Sequence, residues 1–352
     1  MRKRVLEESV LFASVLKWSL LSAAVGVIVG ASTALFLRLL DLSISFSSQF
    51  PYYFFFMPLA FFLGILLVNR FAPEAKGHGT ERVIDAIHKR SGKIDPKVVP
   101  IKLAATIITI ASGGSAGKEG PCAQIGAGLA SVFASLLRFE GGDRKRLVIC
   151  GISAGFSAVF GTPIAGAIFG VEVLFIGALQ YDVLLPSFFA GMVGYQAASF
   201  FGVTYFHEPL RFVPVFSSFF FIKVCLAGLF FGLCSYLFIE VMRLFDRLGK
   251  AIRLWEPAKG ALGALCLVLL ALLVTPRYLG LGLETISTCL EGGFVPYEAF
   301  LMKILFTSAT LGFGGSGGVV TPIFFVGASA GNAFAQVIHL DPAIFSAIGM
   351  VS

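Results

Sequence analysis

Charge is what this sequence has least of. Asp, Glu, Lys and Arg make up 13% of its 352 residues, about half the share of ordinary water-soluble domains, while hydrophobic residues make up 57%. That balance excludes a soluble globular core of ordinary size, which could not hide so much apolar surface. Some stretches carry no charge at all. Trp18–Leu37, Leu42–Asn69, Leu147–Val171 and Val183–Phe206 each reach the ~20 residues with which a helix crosses a bilayer. None alternates polar with apolar residues, which excludes a transmembrane β-barrel. An all-α integral membrane protein remains, with the lipid bilayer as its solvent.

Metal- and disulfide-forming residues are thin as well. The six cysteines form no CxxC pair, and His78, His88, His207 and His339 lie far apart, so neither a metal site nor a disulfide framework is expected. No cofactor is implied. The Met1-Arg2-Lys3-Arg4 start is basic, but the apolar run behind it is too long for a signal-peptide core and shows no small-residue cleavage site. It reads as a retained membrane helix. The net charge of +7 fits Lys and Arg anchoring cytoplasmic loops of a multi-pass protein of the cell's inner membrane, rather than a nucleic-acid partner.

Glycine, in contrast, is abundant, and its placement carries the functional signal. Leu103–Gly117, between Lys102 and Lys118, is short for a crossing and ends in Gly113-Gly114-Ser115-Ala116-Gly117. Ile304–Leu340 is uncharged and too long for one crossing; Gly312-Phe313-Gly314-Gly315-Ser316-Gly317-Gly318 cuts it. Such runs expose backbone amides at membrane depth, which is tolerated only beside protein or a watery cavity. The two runs correspond. Gly113–Gly117 aligns with Gly314–Gly318 at an offset of 201, which also pairs Lys102 with Lys303, Thr106 with Thr307 and Gly126 with Gly327. Upstream, Gly77-His78-Gly79 aligns with Gly280-Leu281-Gly282 at 203, and Gly26/Gly30 with Gly228/Gly232 at 202. Three blocks in one order at near-constant offset indicate a repeat, 10–205 and 215–352, within a single transmembrane domain over 1–352. The loop Asp41–Pro51 has no Lys or Arg, whereas the matching Arg243–Lys259 region is basic, so the two halves face opposite ways. The fold expected is an inverted-topology repeat with broken, re-entrant half-helices meeting at the midplane. The first half continues past its glycine run to Glu172; the counterpart would fall after Ser352, so C-terminal helices of the second half are expected to be missing.

A helix that starts inside a membrane points free amides and its positive dipole end inward. Gly120-Pro121 and Thr321-Pro322 suit such starts, because Pro is favoured in the first helical turn. Converging starts hold a small anion without a full positive charge, which would bind it too tightly for fast passage. Glu119 then stands out, since an intramembrane carboxylate is costly and usually functional. Ionised, it can occupy the anion's own place; protonated, it loses the attraction and swings away. Glu119 is the candidate gate.

These residues resemble the CLC family of chloride channels and proton-coupled chloride exchangers. Gly117-Lys118-Glu119-Gly120-Pro121 is similar to the family's gating-glutamate signature, and Gly318-Val319-Val320-Thr321-Pro322 to its later G-x-F-x-P element, with Val320 for Phe. Gly77-His78-Gly79 stands where the family has G-S-G-I-P, whose serine touches the central anion. The resemblance implies chloride or another small anion as cargo and a homodimer with one pore per subunit. It also implies anion binding around His78, Gly79, Gly117, Lys118, Gly120, Gly318, Val319 and Val320. His78 in place of serine opens selectivity to nitrate, fluoride or halides broadly. At the proton-relay position of the exchangers, Glu172 is kept but the second acid is Val173, as in members known as channels. Val173 therefore favours a passive channel, with anion/proton exchange as the alternative. The family's pore tyrosine would fall after Ser352. A serine hydrolase is the distant third reading. G-x-S-x-G occurs around Ser115, Ser153, Ser316 and Ser329, but small-residue helix packing explains the pattern better, and no enzyme is expected.

Overall fold

The computed structural model describes residues 2–173, 180–205 and 217–352, with side chains from residue 12 onward. His207, the Phe206 end of one expected run and the expected start of the second repeat at 215 lie outside the described residues. Helices dominate. The first half holds α1 (Arg2–Ser47), α2 (Met57–Phe71), α3 (Thr80–Arg90), α4 (Val98–Ala111), α5 (Glu119–Leu136), α6 (Gly141–Phe160), α7 (Pro163–Glu172) and α8 (Tyr181–Phe200). The second holds α9 (Ser218–Ala251), α10 (Glu256–Leu273), α11 (Leu283–Leu290), α12 (Ala299–Gly312), α13 (Val320–Ile338) and α14 (Pro342–Val351). Among the described residues, the bridge between Gly117 and Gly318 is the sole extended pairing.

Among the described residues, six helical stretches are long and apolar enough to cross a membrane: Phe12–Ser47, Tyr53–Phe71, Tyr181–Phe200, Ser218–Ala251, Glu256–Leu273 and Val320–Ile338. α4 and α12, at 14 residues each, rise only ~21 Å and cannot span ~30 Å of hydrocarbon. Two uncharged runs prove to be broken. Leu42–Asn69 is split after Ser47 and restarts through a 3₁₀ turn at Tyr53–Phe56. Leu147–Val171 is split where Gly161, at φ +73°, caps α6 and Pro163 opens α7. The basic region expected as a loop is partly helical: Arg243, Arg247 and Lys250 ride the last turns of α9.

The chain forms two compact units that interleave in sequence. Unit 1 comprises Met1–Leu42, Arg70–Ala104 and Glu119–Tyr205; unit 2 comprises Ser43–Asn69, Ala105–Lys118 and Phe206–Ser352. In unit 1, α5 and α6 cross where a Cβ on Gly126 would lie 2.3 Å from the Gly151 carbonyl oxygen. Val25, Val29, Ala130, Leu147, Cys150 and Ala154 fill the space around the crossing. In unit 2, α13 and α14 cross in the same manner, with Gly327 2.1 Å from the Gly349 oxygen by the same measure. Without a hydrophobic driving force between helices in lipid, close backbone approach through small residues is how such helices associate. Gly126 and Gly327 stand 201 residues apart, so one packing device occurs in each unit.

Candidate anion site

In unit 1 the candidate site begins with a turn. Gly77 (φ +83°) and Gly79 (φ +98°) flank His78, and both angles lie in the region that side chains avoid. Four side chains tie the approach to this turn. Lys102 Nζ donates to the carbonyls of Ala75 (3.2 Å) and Gly77 (2.7 Å). Gln124 Nε2 donates to the Glu74 carbonyl at 2.9 Å, Arg82 Nε to the Lys76 carbonyl at 3.3 Å, and Arg90 pairs with the Glu74 carboxylate. So held, Gly79 sits against α5: a Cβ there would fall 2.5 Å from the Gly120 carbonyl oxygen. Glu119 is the first residue of α5 and only 2% exposed, and the helix is buried from there through Gly128. His78, Gly79, Glu119 and Gly120, chosen from sequence as anion-site and gate residues, thus come together within one unit. His78 is half-buried at the turn.

Unit 2 gathers the other candidates. Gly117 and Gly318 exchange both backbone hydrogen bonds, at 2.7 and 2.6 Å. Around them runs a reciprocal set of side-chain bonds. The Ser115 amide donates to Thr310 Oγ1 and the Ser316 amide to Thr109 Oγ1, each at 3.0 Å. The Ser115 and Thr307 hydroxyls meet at 3.0 Å, the Thr106 and Ser316 hydroxyls at 3.1 Å. Every bond has its mate at the 201-residue offset, so a local two-fold relates the two glycine runs. The amides of Ser115, Gly117, Ser316 and Gly318 are thereby satisfied, as a buried backbone requires. Lys118, Val319 and Val320 are half-buried, with Val320 opening α13.

The relay position lies elsewhere. Glu172 is exposed at the end of α7, whose packing partners are α6 and α8, and Val173 caps that helix half-buried. Sequence reasoning noticed Lys102, Lys303, Thr106 and Thr307 as repeat markers but gave them no role; the structure gives each one. Gln124, Thr109 and Thr310 were missed. For the two threonines the available signal was a polar residue recurring at the 201-residue offset inside an apolar run; Gln124 has Phe325 at that offset and gave none.

A many-helix membrane protein that buries a carboxylate beside a glycine turn is built as an ion transporter, and the comparisons say of which kind. The family model described as voltage gated chloride channel matches residues 59–352, and the chain belongs to that family. It is 32% identical over 353 residues to the chloride/fluoride channel protein of Pseudomonas syringae pv. tomato, covering 98% of this chain and 78% of that one. It is 28% identical over 323 residues to the H(+)/Cl(-) exchange transporter ClcA of Citrobacter koseri, covering 83% and 67%. The crystal structure of a CLC-type fluoride/proton antiporter matches with a TM-score of 0.90 at 30% identity, over 96% of this chain and 85% of that one. CLC-type anion transport through a multi-pass membrane protein follows from membership, and the family holds transporters and channels rather than hydrolases. Two of these three relatives are named as proton exchangers, which backs the exchanger alternative better than the passive channel suggested by Val173.

Proposed function

We propose that this protein exchanges a small halide for protons, with Glu119 as the gate and fluoride ahead of chloride as cargo. One observation carries the reading: a carboxylate 2% exposed, at the first turn of α5, beside a glycine turn seated on the next residue's carbonyl. Ionised, the Glu119 carboxylate competes with the anion for the positive end of α5; protonated, it yields the place and carries its proton along. Each passage of an anion then requires a change in the carboxyl's protonation, which couples the two fluxes. His78, Gly79 and Gly120 are anion contacts in this reading. Gly117, Lys118, Gly318, Val319 and Val320 are those contributed by the paired glycine runs. The two relatives with fluoride in their names support that ion, and His78 in place of the family's serine fits a cargo other than chloride alone. The reading extends to inverted repeats over 10–205 and 215–352, a homodimer, and residence in the inner membrane.

The test is anion flux from liposomes with simultaneous pH recording. An outward fluoride or chloride gradient should drive protons uphill into the vesicles, more strongly for fluoride. Anion flux without proton movement would return the protein to the channels.

A further inference from the structure

Two lysines that belong to no ion pair among the described residues lie wholly inside the protein. Lys102 and Lys303 are both 0% exposed and 201 residues apart. A fully buried lysine is rare unless something holds its ammonium, because charge and donor capacity are both costly away from water. Each is held in the same manner. Lys102 Nζ donates to the carbonyls of Ala75 and Gly77; Lys303 Nζ donates to those of Tyr278, at 3.2 Å, and Gly280, at 2.9 Å. Each therefore pins the backbone that leads into one glycine turn.

The turns differ in what they touch. Gly79 meets the backbone of α5 at Gly120, beside Glu119. Gly282 meets the ring of Phe325, over which Lys303 Nζ also lies, 5.0 Å from its centroid. Lys303 thus closes on an aromatic core with Tyr278 and Phe306, whereas Lys102 closes on the helix start that carries the carboxylate.

We infer that Lys102 is a positioning residue for anion affinity, holding the Gly77–Gly79 turn against the start of α5, and that Lys303 holds the repeat-related turn for packing alone. The inference rests on the turn being part of the anion pathway, and not on proton coupling. The repeat supplies the control. Lys102→Met and Lys303→Met remove the same atoms, each from a fully buried site and a pair of backbone carbonyls, so a general loss of packing would affect both. Liposome flux measured over a range of fluoride concentrations should show the apparent KM of Lys102→Met raised at least tenfold, with maximal flux within threefold of wild type. Lys303→Met should keep the wild-type KM even where its thermal stability falls. Lys102→Gln, which retains a donor for one carbonyl, should fall between wild type and Lys102→Met, and it decides the matter should the methionine variant not fold. A KM within twofold of wild type in the folded Lys102 variants overturns the inference, as does an equal KM shift in both methionine variants. A wild type that moves anions but no protons sinks the exchange reading and leaves this one standing. A wild type that moves no anions sinks both.

Discussion

Gly79→Ala is the sharpest single test of the turn, because its cost divides into two parts and Gly77→Ala isolates the first. Both glycines have positive φ, +98° and +83°, so alanine at either is strained by ~1–3 kcal/mol. They part company in space. A Cβ on Gly77 meets nothing within 4 Å, whereas one on Gly79 meets the Gly120 oxygen at 2.5 Å and its carbonyl carbon at 2.8 Å. Those atoms are backbone in a buried helix start and cannot rotate aside, so the turn itself must retreat by about 0.9 Å to reach ordinary contact. Forcing an extra carbon into a packed site adds ~1–3 kcal/mol. Functionally the retreat matters more, since groups displaced by ~1 Å from a productive site lose on the order of tenfold or more in rate. Purified variants would be compared by thermal unfolding in detergent and by fluoride flux from liposomes. Gly77→Ala should unfold earlier than wild type and keep flux within threefold; Gly79→Ala should unfold earlier still and lose flux at least tenfold. Equal flux in the two variants would refute the idea that the approach of Gly79 to Gly120 builds the site.

Three further outcomes follow from the same geometry. Glu119→Gln should conduct anions with little dependence on pH and move no protons, read by the paired flux and pH recording; a variant dead to anions would assign Glu119 to the fold instead of the gate. Thr310→Val strips the acceptor from the buried Ser115 amide and should cost ~1–3 kcal/mol, as should Thr109→Val at the related position, both measured by denaturation. His78→Ser should shift the fluoride-to-chloride flux ratio toward chloride; an unchanged ratio would make His78 a turn residue only.

Much of the architecture was legible because the repeat is written in chemically demanding residues. Glycine at a positive φ, lysine inside an apolar helix and threonine beside a buried amide are hard to replace, so their spacing survives as a 201-residue echo. The apolar filling between them carries no such constraint and showed none. What escaped was anything that depends on where a run bends. Counting uncharged residues joined Leu147 to Val171, although Gly161-Thr162-Pro163 ends one helix and opens the next. In the sequence Lys102 merely bounds a short uncharged segment and matches Lys303. Its full burial becomes visible only when the chain from Pro73 to Gly79 folds over it, a contact between residues some 25 positions apart. The reciprocal bonds of Ser115 and Ser316 were hidden for a related reason: G-x-S-x-G suggested either catalysis or packing, and these serines instead join the two glycine-run segments.

Val173 shows why one substitution does not by itself decide between channel and exchanger. In the proposed reading, coupling arises where two ions contend for one place, the start of α5, for which the Glu119 carboxylate and the anion compete. An inner acid acts differently. It shortens the proton's route between Glu119 and one side of the membrane, and so governs how fast Glu119 is reloaded. Valine removes a stepping stone without removing the contest. Glu172 does not restore it by proximity in sequence, because it is exposed at the end of α7 while Val173 is half-buried. A chain that keeps the contested site and lacks the relay is therefore consistent with exchange at an altered rate. On this reading the deciding residues are Glu119 and Gly79, and at Gly79 the backbone of Gly120 leaves no room for a single added carbon.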